Sequence, residues 1–181
     1  MQDALLRIEP LPGYSPAVGR LVGILLYARA TTIAAVEGLT LTELDHLHDD
    51  RSNSIGALLA HIAVVERAYQ VLTLEDRALT AEENLAWAPA LKLGPEGRQT
   101  LRGEPLQPYL ERLAAVRRNT LDALALRDDA WLDRRVTAAP KINMHWAWFH
   151  VAEDEINHRG QMRWLRARLP QGSTDVVPDE R

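Results

Sequence analysis

The sequence of 181 residues contains no cysteine. This absence excludes disulfide bonds, thiolate metal sites and a cysteine nucleophile, so any transition metal would have to be held by histidine, aspartate or glutamate. No apolar run approaches the length of about 18 residues that is typical of a membrane span, and the N-terminus lacks the basic and apolar regions of a signal peptide. We therefore expect a cytoplasmic protein with no membrane partner.

An excess of charge of either sign is also missing. The chain has 21 Lys and Arg residues against 25 Asp and Glu residues, and its formal net charge is -4. This balance provides no broad attraction to nucleic acid, so we expect no nucleic-acid partner. The hydrophobic fraction of 46% is ordinary for a globular protein, and the length fits one core. Residues 1–181 are predicted to form a single domain.

Four segments repeat apolar residues at a spacing of three and four, which predicts four helices. The first begins with Ser15 as N-cap and Pro16 at the first helical position, and it stops at Gly38. The other three are predicted at about 55–74, 105–124 and 142–168. Proline and glycine interrupt a crossover at about 75–104, where only Leu79 to Trp87 could form a short helix, and a tail follows from about 170 to 181. No β-strand is predicted.

The lengths of the links determine how these helices are expected to pack. Short links join helices one and two and helices three and four, which favours antiparallel neighbours. About thirty residues between helices two and three are enough to cross the length of a bundle. The prediction is an all-α, up-down-down-up four-helix bundle with a long crossover between helices two and three.

Two ionisable residues interrupt the apolar stripe of the last helix. Asp154 and His158 lie one turn apart, so their side chains can converge on one face. A carboxylate in a core costs several kcal/mol unless something compensates its charge, and a metal ion is the sharpest candidate. The stripe consists of Met144, Ala147, Val151, Asp154, His158, Met162, Leu165 and Leu169.

A third ligand would have to come from another helix. His61 lies beside the apolar stripe of helix two, whereas His46 and His48 fall among acidic residues in a predicted loop. Three protein ligands would leave a coordination position open, which is typical of catalytic rather than structural sites. The predicted metal ligands are therefore His61, Asp154 and His158.

Several other interpretations are open for the same residues. A histidine on an apolar face is often a hydrogen-bonded core residue, and Asp154 could pair with Arg159. Glu155 lies three residues before His158, as in di-iron bundles, but the second inward Glu-x-x-His pair that such sites need is missing here. His150 is two turns before His158, about 12 Å along the axis, and is a pocket residue on this interpretation.

Two segments resemble the signature helices of the DinB/YfiT-like superfamily, namely SIGALLAHI at 54–62 and HVAEDEINHRGQM at 150–162. The resemblance implies an up-down-down-up bundle, often dimeric, with one divalent metal held by three residues that are commonly all histidine. By position these are His61, Asp154 and His158, so Asp154 is a departure from the family pattern. An anionic ligand shifts preference from Ni or Zn toward harder ions such as Mn or Fe.

Characterised members of this superfamily include S-transferases that use thiols such as bacillithiol or mycothiol. The resemblance therefore implies a metal-dependent S-transferase in detoxification or stress response, with a small-molecule electrophile and a low-molecular-weight thiol as partners, in a homodimer. His150, Glu153 and Arg159 are candidates for orienting substrate or shuttling a proton. The alternatives are metal-assisted hydrolysis and a noncatalytic bundle that binds a metal or a ligand.

Overall fold

The computed structural model describes residues 6–170, so residues 171–181 of the predicted tail lie outside the described part of the chain. The described residues form eight helices and one small hairpin. In chain order these are α1 (Pro16–Val36), α2 (Leu41–Leu44), α3 (Ile55–Thr73), α4 (Ala81–Lys92), α5 (Gly94–Thr100), α6 (Leu106–Leu124), α7 (Asp129–Asp133), β1 (Arg135–Val136), β2 (Ala139–Asn143) and α8 (Met144–Arg166).

The four long helices form an up-down-down-up bundle, as predicted. Arg29 of α1 contacts Glu155 of α8, and Arg166 further along α8 donates to the carbonyl of Ala35 further along α1, so these helices run in the same direction. Later residues of α3 contact later residues of α6, so these two helices also run in the same direction. Helices α3 and α8 are antiparallel neighbours, and this pairing creates the groove that holds the candidate site.

Apolar side chains fill the bundle in two clusters. One cluster joins α3 and α6 and includes Leu58, Leu59, Leu113 and Met162. The other joins α1 and α8 with α7 and the hairpin, and fully buried Trp148 is its largest side chain. Because both clusters have α8 residues in their walls, the position of this helix is set by packing on both sides.

The crossover is more helical than its sequence pattern indicated. The prediction of a single short helix at Leu79 to Trp87 is wrong in extent, because α4 continues to Lys92 and α5 follows it directly. Thr80 and Glu83 form a capping box that begins α4. The sequence of α4 is only weakly amphipathic, and its apolar contact with α3 stabilises the helix. Tertiary packing routinely overrides weak local preference in this way.

The prediction that no strand forms is also wrong. Strands β1 and β2 pair antiparallel, with Val136 opposite Ala139, directly before α8 begins. Asn143 ends this hairpin and caps α8, since its side-chain oxygen accepts from the backbone N–H of Trp146. The short link at 127–141 therefore sets the start of the helix that carries two of the candidate ligands.

Two of the long helices, α1 and α3, are long and apolar enough to cross a membrane by length and composition, contrary to the expectation that no segment reaches that length. In the most apolar windows of these helices, 44% and 78% of the residues are buried within the described structure. The core helices of a bundle pass the same test, so this finding is weak evidence for a membrane span.

A buried ion-pair network crosses the centre of the bundle. Glu66 and Glu155 are fully buried, and each binds both Arg29 and Arg117 at distances from 2.7 to 3.3 Å. Thr120 also donates to Glu66. We call these two carboxylates and two guanidiniums the charge quartet. It links all four long helices with balanced charge, which a buried charged group requires.

The charge quartet was not predicted, although the sequence carries a signal for it. Arg29 and Glu66 are charged residues within otherwise apolar helical faces, much as Asp154 is in the last helix. Arg117 of α6 is likewise buried, with only 4% of its surface exposed. Which arginine reaches which carboxylate depends on the arrangement of four helices.

The charge quartet predicts a specific response to acid. Burial alone would raise the pKa of Glu66, but Arg117 and Arg29 hold it below its ordinary value of 4.5. Its contribution to stability is therefore complete above pH 4.5 and is lost as the pH falls through the lowered value. Urea unfolding should show that the stability difference between wild type and Glu66→Gln narrows below this pH. A difference that is constant down to strongly acidic pH would contradict this assignment.

Candidate metal centre

The structure brings together the three residues that were predicted to bind a metal. The Nε2 atom of His61 on α3 lies 3.5 Å from the Oδ1 atom of Asp154, and the Nε2 atom of His158 lies 3.4 Å from the same oxygen. The two imidazole rings are 4.5 Å apart between centroids. The three potential ligand atoms all lie within 4.8 Å of one another, and all three side chains are largely buried.

The orientation of His61 is set by the crossover. Its Nδ1 atom lies 2.7 Å from the carbonyl oxygen of Ala90 near the end of α4. The backbone N–H of Gly94, which would continue the helical pattern to that carbonyl, donates to the side chain of Asn53 instead. Because Nδ1–H donates to the carbonyl, Nε2 is the ring nitrogen that faces Asp154 and would be the one available to a metal ion. Such an outer hydrogen bond is what fixes the tautomer of metal-binding histidines.

Two polar atoms of this cluster have no partner among residues 6–170. These are Oδ2 of Asp154 and Nδ1 of His158, both fully buried. A buried polar atom without a hydrogen bond is costly, so each such atom requires an explanation. The donor set of one carboxylate and two imidazoles fits a divalent transition ion. An ion with tetrahedral bonds of about 2.1 Å would place its ligand atoms about 3.4 Å apart, close to the 3.5 and 3.4 Å that separate the two histidine Nε2 atoms from Oδ1 of Asp154.

Electrostatics also favours an anionic Asp154. Burial would raise the pKa of Asp154, but hydrogen bonds from His158 and His61 hold it well below its ordinary range. For His61, burial lowers the pKa, but the hydrogen bonds to Asp154 and to the Ala90 carbonyl, together with the negative charge of Asp154, outweigh burial and leave the pKa raised. The carboxylate is therefore available as a charged ligand at neutral pH, and protons compete with a cation for the histidine nitrogens.

The interpretation that Asp154 pairs with Arg159 is wrong. The guanidinium of Arg159 donates a short hydrogen bond to the hydroxyl of Thr31 and lies over the ring of Tyr27, 5.7 Å from its centroid. Both contacts are with α1, on the other side of α8 from His61. Arg159 was one of three candidates for orienting substrate or shuttling a proton. The structure directs its side chain away from the triad.

The other two candidates, His150 and Glu153, contact each other on α8 just before Asp154. His150 Nδ1 lies 3.0 Å from a carboxylate oxygen of Glu153, and its ring stacks on Trp146 at 4.8 Å. The ring edge of His150 also meets Tyr69 of α3, at 5.7 Å between centroids. Tyr69 was not singled out from the sequence. It lies two turns after His61 on the same helix, so the spacing could have indicated it.

The remaining candidates are placed elsewhere. Glu155 lies on the opposite side of α8 within the charge quartet, so it is not a partner of His158 in a di-iron pair. His46 and His48 lie in the loop after α2, as predicted. Of the aromatic residues assigned to the core or pocket wall, Trp148 is buried, whereas the others are about half exposed: Trp146, Phe149 and Trp164.

A cavity of about 550 Å³ lies between α8 and the loop before α3. Asn157, which precedes His158, and Gln161, three residues after His158, line it together with Trp164 and the loop residues Arg51 to Asn53. The volume lies within the range of about 300–1,000 Å³ that is usual for small-molecule sites. None of the three triad residues lines this cavity.

The protein is an up-down-down-up helical bundle in which three potential metal ligands meet between α3 and α8. This fold and this site define the class of DinB-like proteins. The sequence model of one family, described as Mycothiol-S-transferase, matches residues 20–171. The chain belongs to this family. A comparison with curated proteins gives no significant match. The matched range includes all three residues of the triad.

Proposed function

We propose that this protein is a metal-dependent S-transferase that joins a low-molecular-weight thiol, mycothiol in the first instance, to a small electrophile. The observation that supports the proposal most directly is the triad: three buried ligand atoms at the spacing of a metal site, in a chain of the mycothiol S-transferase family. The chain has no cysteine, so the reacting thiol has to be a cosubstrate. We further propose a role in detoxification or stress response, as a cytoplasmic homodimer.

In this proposal His61, Asp154 and His158 hold one divalent ion. A bound cation would lower the pKa of a coordinating thiol and present it as a thiolate. The thiol proton passes to a base as the thiolate forms. The sulfur then forms a bond to the electrophilic carbon, and the bond from that carbon to its leaving group breaks. The Ala90 carbonyl keeps Nε2 of His61 directed at the site throughout.

His150 is the proposed proton acceptor. Glu153 accepts from its Nδ1–H, so the lone pair of Nε2 is free. Stacking on Trp146 and contact with Tyr69 fix the ring on the side of the groove that α3 and α8 share. A His150→Gln variant should therefore lose most activity in assays at low pH, where little of the thiol is deprotonated in solution. Its activity should recover as the assay pH rises toward the pKa of the thiol. An unchanged pH profile would contradict this role.

The direct test is a conjugation assay. Protein stripped with a chelator and reloaded with Mn, Fe, Ni or Zn is mixed with mycothiol and 1-chloro-2,4-dinitrobenzene, and formation of the thioether is followed by absorbance. We expect turnover that depends on the metal and on the thiol. Release of chloride from the substrate in the absence of thiol would favour a hydrolase. Binding of metal without any turnover would favour a noncatalytic bundle.

Asp154→His tests the metal preference. The substitution replaces an anionic oxygen ligand by a neutral nitrogen, as in the common superfamily pattern, so it should favour borderline ions over hard ones. We expect the ratio of Zn affinity to Mn affinity to rise by about tenfold or more. Competition titrations with a chromophoric chelator measure both affinities, and Glu153→His next to the triad is the matched control. An equal change in both variants would contradict a ligand role for Asp154.

A further inference from the structure

A second cavity, of about 360 Å³, lies between α3, the crossover helices and α6. Its walls are largely apolar. Ala60 and Ala63 face it from α3, Ala86 and Trp87 from α4, Leu101 from the end of α5 and Tyr109 from α6. None of the three triad residues lines it. This volume is within the range of small-molecule sites, and the predominantly apolar lining is also typical of them.

Charge at the opening of this cavity is unbalanced. Glu104 accepts two hydrogen bonds from Arg112, at 2.7 and 2.5 Å, so this pair is neutral. Arg102 also lines the cavity, and its guanidinium makes no ion pair or hydrogen bond within the described range 6–170. The opening therefore carries one exposed positive charge above an apolar interior.

We propose that this cavity binds a small apolar carboxylate, with its hydrocarbon part between α3 and α4 and its carboxylate at Arg102. An apolar interior favours a hydrocarbon because burial removes apolar surface from water. A single cation at the opening favours an anionic head group over a neutral one. The site is separate from the triad, so binding is expected both with and without a metal, and the inference does not depend on the transferase activity.

Octanoate below its micellar concentration is the probe, titrated by calorimetry into the full-length protein. We expect one molecule per chain, and binding weakened by about threefold to fivefold in Arg102→Gln, which is the upper part of the range for an exposed ion pair. Octanol should bind wild type and Arg102→Gln equally. Arg118→Gln removes an exposed arginine of α6 that does not line the cavity, so it should leave octanoate binding unchanged.

Ala86→Leu tests the location. Ala86 is an exposed residue of α4 that lines the cavity, so a larger side chain there should fill space without disturbing the core. We expect at least a tenfold loss of octanoate affinity at an unchanged melting temperature. The proposal is overturned if wild type shows no binding, if Ala86→Leu binds as wild type does, or if Arg102→Gln and Arg118→Gln weaken binding equally.

Discussion

Replacement of His158 by alanine is expected to abolish stoichiometric metal binding. The imidazole lies 3.4 Å from Asp154 and supplies one of the three potential ligand atoms of the proposed site. Loss of even an outer hydrogen-bond partner typically costs about 10–100-fold in metal affinity, so loss of a ligand should cost more than about 100-fold. Elemental analysis and chelator competition measure the affinity, and the conjugation assay should show a parallel loss of turnover.

The matched control for this prediction is His145→Ala. His145 lies on the same helix, is exposed and is not part of the triad. It should bind metal as wild type does. His61→Ala should reproduce the loss seen with His158→Ala, since its Nε2 atom faces the same carboxylate. Retention of one tightly bound metal in both triad variants, with their circular dichroism unchanged, would refute the proposed site.

Replacement of Glu66 by glutamine is expected to cost about 3–5 kcal/mol of unfolding free energy, the range for removal of one partner from a buried ion pair. Glu66 binds Arg29 and Arg117 and is fully buried. Without its charge, two buried guanidiniums would share the single carboxylate of Glu155. Urea unfolding monitored by tryptophan fluorescence measures the change, and Glu111→Gln on the exposed face of α6 is the control.

A double variant separates the loss of charge balance from the loss of packing. Glu66→Met combined with Arg117→Met removes one anion and one cation and leaves Arg29 paired with Glu155. Replacement of a buried pair by apolar residues of similar volume is often neutral or stabilising. The double variant should therefore be more stable than Glu66→Gln. If the double variant is less stable than Glu66→Gln, charge balance does not explain the contribution of Glu66 to the free energy of unfolding.

The sequence by itself was sufficient for the four long helices, their direction and the triad. Helical periodicity is a local property, so the apolar spacing in α1, α3, α6 and α8 could be identified without a structure. The three residues of the triad could be identified from the sequence for a related reason. Asp154 and His158 are one turn apart on one helix, and His61 interrupts the apolar face of another, so each residue is conspicuous against its own neighbours.

Only the tertiary structure decided what these residues contact. The Ala90 carbonyl that orients His61, the assignment of Arg159 to α1, and the closure of the charge quartet all join segments that are far apart in the chain. The helical crossover and the hairpin were missed because short segments depend on packing for their stability, and local pattern predicts them poorly. Helical spacing marks which side chains face inward, but the packing of four helices determines which of them meet.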